Sequence, residues 1–223
     1  MFRSVPVRDN FNNDFCPGLV CLFAIVLLSA SVFGSGAYDH GTATGKGKLQ
    51  IDLTLNPFNS LEFGQTYVVL GYGLTNRLDI HGYFANQTSG ENNYYVGVFY
   101  QFLNHEYLDL ATALGTRQYI NSPVKHLFFP QLLYNIKFNS KFSLGGSIVT
   151  IQDIKEGKLE ELGIALDIAL FIPLTSLVSL PDFIEEFKLS IGAFKPGIDK
   201  PDFGKFLPTY SLNFKINLKK KEK

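Results

Sequence analysis

The sequence has no tryptophan, one methionine and two cysteines in 223 residues, and Lys+Arg 20 balances Asp+Glu 20. Each scarcity removes a class of protein. With no net charge, and no basic run beyond Lys219-Lys220-Lys221, there is no electrostatic footprint for nucleic acid. Cys16 and Cys21 both precede residue 22, so the remaining chain can build neither a disulfide framework nor a cysteine metal site. The four histidines (His40, His81, His105, His126) are dispersed, and no His/carboxylate group has metal-ligand spacing. No cofactor is expected. Apart from Leu19–Phe33, long apolar runs are missing, as are extended helical periodicities.

Period two is what the chain has in abundance. From Leu162 to Ile172 the residues Leu162, Ile164, Leu166, Ile168, Leu170 and Ile172 alternate with Gly163, Ala165, Asp167, Ala169 and Phe171. Alternate side chains of a strand point to opposite faces, so this ribbon has one aliphatic face and one face of small residues around a carboxylate. A soluble half-buried strand would present Lys, Glu, Thr and Ser on its second face. A small, sparsely charged second face suits a crowded polar interior, with the aliphatic face turned to lipid.

The same alternation spans residues 48–218 and predicts an all-β, up-and-down antiparallel transmembrane β-barrel of about ten strands, within a range of eight to twelve. Short turns at 74–77, 103–106 and 139–141 alternate with long polar loops at 86–93, 118–126 and 152–161, the pattern of periplasmic turns and external loops. The segment 173–186 breaks that alternation by its length and reads either as part-helical or as a sign that the strand count fails beyond Ile172. Pro130, inside the sixth strand, predicts a bulge or a strand end because proline cannot donate to the ladder. Phe128, Pro130, Leu132, Tyr134, Ile136 and Phe138 are assigned there to the outer face. Phe (21) and Tyr (11) are plentiful enough to form the aromatic girdles in place of tryptophan.

Residues 1–37 read as a cleavable signal peptide. Arg3 and Arg8 precede Leu19–Phe33, and Ser35-Gly36-Ala37 is a small-x-small cleavage site. The apolar run is short for a membrane anchor, which takes roughly 20 residues. Cys21 follows Val20, where a lipoprotein signal wants a small residue. Residues 38–47 form a polar lead, 48–218 the barrel and 219–223 a basic tail. Within the lead, Gly41 to Lys48 looks like a phosphate-binding loop, but its spacing is one residue short and a strand follows. The match Asn86-Gln87-Thr88 to a glycosylation acceptor carries no weight in a bacterial barrel.

The stretch Tyr72-Gly73-Leu74-Thr75-Asn76-Arg77-Leu78-Asp79-Ile80 resembles a hairpin common in bacterial outer-membrane β-barrel families, where Tyr-Gly-Leu-Thr-(Asn/Asp)-Arg-Leu joins two membrane strands. The likeness covers nine residues and implies a fold and a bacterial outer-membrane location, reached by export. It implies no substrate.

The charged and polar residues assigned to the inner face are Asp52, Asp79, His81, Asp109, Arg117, Lys137, Asp167, Lys188 and Lys215. Charges withdrawn from water need partners, so acid–base pairing across the lumen is expected. The resulting reading is a non-enzymatic outer-membrane barrel: a narrow small-solute channel or a structural barrel, with outer-membrane lipid as its surroundings. Two alternatives remain. One is a barrel enzyme acting on lipid or peptide, with Asp79-Ile80-His81 as its best local candidate. The other is a secreted lipocalin-like barrel, which would carry a Gly-x-Trp motif and an apolar interior.

Overall fold

The computed structural model describes residues 40–55, 65–87, 92–138, 142–195 and 207–218. The signal-peptide and basic-tail readings lie outside these residues. Ten strands follow one another: β1 (Lys48–Leu55), β2 (Gln65–Gly73), β3 (Leu78–Gln87), β4 (Asn92–Asn104), β5 (Leu108–Tyr119), β6 (Lys125–Lys137), β7 (Ser143–Lys155), β8 (Lys158–Pro173), β9 (Ile184–Lys195) and β10 (Leu207–Asn217). Each pairs antiparallel with its neighbours in sequence, and β1 pairs with β10, so the sheet closes into an up-and-down barrel. Closure leaves no unpaired edge.

Period two sets the two faces. On β8, Ala165, Asp167, Ala169 and Phe171 are buried while Leu162, Ile168 and Leu170 are exposed. On β4, Tyr95, Phe99 and Gln101 point in, and Tyr94, Val96, Val98, Tyr100 and Phe102 point out. Large apolar side chains thus cover the outside, and Thr54, Asp52, Asp109, Ser190, Thr209 and Ser211 are among the most buried residues. A soluble barrel distributes polarity the opposite way.

Three local features depart from the sequence reading. The charged loop assigned to 152–161 is mostly strand: β7 and β8 run on to a tight turn at Glu156-Gly157. Both residues have positive φ (50° and 77°), the conformation that matches hairpin twist. The segment assigned as part-helical is a turn between Pro173 and Ile184, pinned where the Phe187 N–H donates to Thr175 Oγ1 at 2.9 Å.

The third difference follows from Pro130. The β6–β7 register shifts between Phe128 and Gln131, as proline's missing donor predicts. The irregularity also exchanges faces. Beyond it, Gln131, Leu133 and Asn135 point inward as the period requires; before it, His126 is buried and Phe128 packs against Tyr95 inside the barrel. The outward assignment of Phe128 is therefore corrected: one irregular step reverses every side chain preceding it.

Candidate functional site

The interior is occupied by the chain itself. Residues 40–46, just before β1, run inside the barrel at the end carrying the short turns. Gly41, Ala43 and Thr44 are buried. A Cβ on Gly41 would stand 2.6 Å from the Asp109 carbonyl oxygen and 2.9 Å from Tyr134 Cα, so only glycine fits against β5 and β6. Ala43 packs with Phe99, Ala111, Ala113 and Leu133. The segment then reaches β2, where Lys46 bridges Gly73 and the Gly47 N–H donates to the Gly73 carbonyl at 2.8 Å. Gly45 and Gly47, with φ of 91° and 73°, let the backbone turn from this inner path into β1.

Inner-face polar side chains grip the segment. The Thr42 hydroxyl donates to Asp109 Oδ2 (2.6 Å) and accepts from Asn135 Nδ2 (2.8 Å). The Ala43 N–H donates to Gln101 Oε1 (3.0 Å), and the Thr44 N–H donates to Asp79 Oδ2 (2.7 Å). Asp109 also pairs with Lys137 Nζ at 2.8 Å. A buried carboxylate oxygen left without its donor is costly, so these bonds hold the segment in place.

His40 packs edge-on against Phe171, with ring centroids 5.1 Å apart, and its Nδ1 accepts from the Thr42 N–H at 3.2 Å. Burial, reinforced by Lys188 and Lys215, pushes its imidazole down from 6.5 to about 3. His40 therefore sits here as the neutral ring.

Above the segment lies a small cavity of about 40 Å³, lined among others by His40, Gln50, Asp52, Asp79 and His81. Gln50 Nε2 donates to Asp52 Oδ2 at 2.8 Å, and His81 Nε2 meets the Tyr95 hydroxyl at 3.2 Å. Asp79 and His81 are neighbours on β3; Asp79 Oδ2 accepts from the Thr44 amide and His81 Nε2 meets Tyr95, while Asp79 Oδ1 and His81 Nδ1 are buried without a hydrogen-bond partner. Among the described residues no three His, Cys, Asp or Glu side chains come together as metal ligands.

A second layer lies toward the long loops. Tyr83 and Tyr95 stack at 5.2 Å, Tyr67 meets Tyr83 edge-on at 5.1 Å, and Phe128 meets Tyr95 at 5.4 Å. Tyr95 fits because β4 and β5 carry Gly97 and Gly115 beneath its hydroxyl; a Cβ on Gly97 would lie 2.5 Å from that oxygen. Arg117 and Asp167 line this layer. Asp167 accepts from the Ser147 amide and hydroxyl, each at 2.7 Å.

At the turn end the barrel opens into a cavity of about 460 Å³, reached by Lys137, Lys188, Lys215 and Glu186. Glu186 receives Lys188 at 2.5 Å and Lys215 at 3.5 Å.

All nine residues assigned to the inner face thus line the interior or its mouth, but their pairing differs from the expectation. Only Asp109–Lys137 joins two of them as an ion pair. Lys188 and Lys215 pair with Glu186, which the sequence reading placed in the 173–186 connection. Asp79 instead accepts from the inserted segment, and Asp109 does so with the oxygen that Lys137 leaves. That segment read only as a polar lead, because seven residues carry no periodicity long enough to assign. The available signal was Gly41-Thr42-Ala43-Thr44, in which hydroxyls alternate with residues having little or no side chain.

Compared with protein-family models and with curated proteins, the chain matches neither.

Proposed function

We propose that this protein is an integral β-barrel of the bacterial outer membrane, a narrow channel for small solutes held shut in this conformation by its own 40–46 segment. The observation that carries the reading is the inverted polarity of the wall. Val68, Leu70, Ile80, Val98 and Leu114 are exposed on the outside, while Asp52, Asp79, Asp109 and Asp167 are buried within. Water penalises such a surface, and a bilayer hydrocarbon layer favours it. The resemblance of Tyr72–Ile80 to an outer-membrane hairpin supports the same placement. A lipocalin-like carrier would need the opposite distribution. The best local candidate of the enzymatic alternative, Asp79 with His81, is not joined by a hydrogen bond in this conformation: Asp79 Oδ2 accepts from the Thr44 amide and His81 Nε2 meets the Tyr95 hydroxyl.

The channel reading rests on the closure being a short, glycine-bounded segment rather than part of the wall. A structural barrel is the second reading, favoured by the tyrosine layer above the segment. Outer-membrane fractionation with heat-modifiable gel migration tests the placement; recovery in the soluble periplasm without detergent overturns it. Planar-bilayer conductance separates the two readings. Thr44→Pro removes the N–H that binds Asp79 and loosens the segment. Channel activity in this variant with a silent parent supports the gated channel, and silence in both supports the structural barrel.

A further inference from the structure

The tyrosine layer holds a cation that forms no ion pair among the described residues. Arg117, near the loop end of β5, stacks its guanidinium 5.0 Å from the Phe128 ring centroid and 5.3 Å from that of Tyr119. Its Nη2 lies 2.6 Å from His126 Nδ1. A guanidinium only donates, so His126 accepts through Nδ1 and its ring is neutral. Arg117 Nε is buried and has no hydrogen-bond partner. Among the described residues the ion pairs join Lys48, Lys137, Lys155, Lys188 and Lys215 to carboxylates, and none includes Arg117.

Beside this group lies a cavity of about 80 Å³ that reaches Tyr67, Tyr83, Tyr95, Gln131 and Ser147. Phenolic hydroxyls are donors suited to an anion, whereas Gln131 already spends its amide on the Tyr95 hydroxyl and the Phe128 carbonyl. Asp167 faces the same space from β8, with hydrogen bonds from Ser147 to both its oxygens. A charge withdrawn from water without a partner is costly, and a small counter-ion removes that cost.

We propose that this cavity is a binding site for a small inorganic monovalent anion of the chloride class, held by Arg117 and the surrounding tyrosine hydroxyls. A cavity of about 80 Å³ suits a small ion better than a bulky organic acid. The site goes beyond the channel reading and stands without it, since binding requires access from the loop end only. A non-conducting barrel could equally hold the ion.

Bromide titration of the detergent-solubilised full-length protein is the test. The chain has no tryptophan, so its emission is tyrosine emission, and bromide quenches by contact. Expected is a saturable quench in the parent, against sodium gluconate at constant ionic strength, and a bromide anomalous-scattering peak beside Arg117. Arg117→Gln should lose the saturable part and retain only linear collisional quenching. Arg117→Lys, which keeps the charge, should saturate at several-fold higher bromide and serves if the glutamine variant does not fold. Linear quenching in the parent means that Asp167 across the cavity balances Arg117 by itself, and overturns the proposal. A saturable quench unchanged in Arg117→Gln overturns it equally.

Discussion

The Thr42 hydroxyl donates to Asp109 Oδ2 at 2.6 Å, tying a segment that precedes the first strand to the start of the fifth. Asp109 is fully buried, and its other oxygen takes Lys137 Nζ at 2.8 Å. The threonine hydroxyl also accepts from Asn135, so one small side chain links two strands to the inserted segment.

Thr42→Val keeps the shape and deletes the hydroxyl, leaving an Asp109 oxygen and an Asn135 amide without their partner. The expected loss is ~1–3 kcal/mol. Urea unfolding of the barrel in detergent, followed by gel migration, measures it. An unchanged midpoint would show that the segment contributes nothing to the closed state.

Acid should loosen the segment through His40. The inserted ring has its pKa pushed down to about 3, against 6.5 in water. Between these values the withdrawn state binds the extra proton, so insertion is favoured at neutral pH and weakens as pH falls below about 6.5. Lys188, Lys215 and Glu186 are the charged groups that bear on the ring, and Lys188 and Lys215 add to the effect of burial. Ala43→Cys, with Cys16 and Cys21 replaced by serine, reports withdrawal by thiol labelling. Normalised to an exposed Tyr107→Cys control, labelling should rise about tenfold from pH 7.5 to 5.5. His40→Gln should abolish that rise.

The outer wall gives the third prediction. Val98 lies at the middle of β4, is 49% exposed, and pairs with Ile80 and Leu114 on the neighbouring strands. In a bilayer, Val98→Arg should cost ~2–4 kcal/mol, because an arginine at the midplane faces hydrocarbon. The same change at Lys158, beyond the apolar belt, should cost nothing measurable. Equal, negligible effects at the two positions in lipid-reconstituted protein would remove the membrane from the account.

The fold was legible because a strand's period is short and the chain repeats it. Leu162 to Ile172 alone places Ala165, Asp167 and Ala169 on the inside, and the same count succeeds through β2, β5 and β10. It fails at Phe128, since periodicity counts residues and the irregularity at Pro130 offsets the count by one. Pairing was less legible than facing. Whether Asp79 meets a lysine or a backbone amide depends on which segment fills the space, and residues 40–46 are too few to show a period of their own. Arg117 was assignable to the interior, but its lack of a carboxylate depends on the strand register, which no local pattern carries.

The pairing of β1 with β10, from Lys48↔Asn217 to Leu55↔Tyr210, joins opposite ends of the sequence, whereas every other pair among the described strands joins consecutive elements. Hairpins can form one after another along a growing chain, but the ring waits for its final member. Shortening the chain by either terminal strand would leave two bare ladders in place of a seam, and under the proposed membrane placement the bilayer would offer them no hydrogen bonds. The wall is therefore an all-or-nothing object.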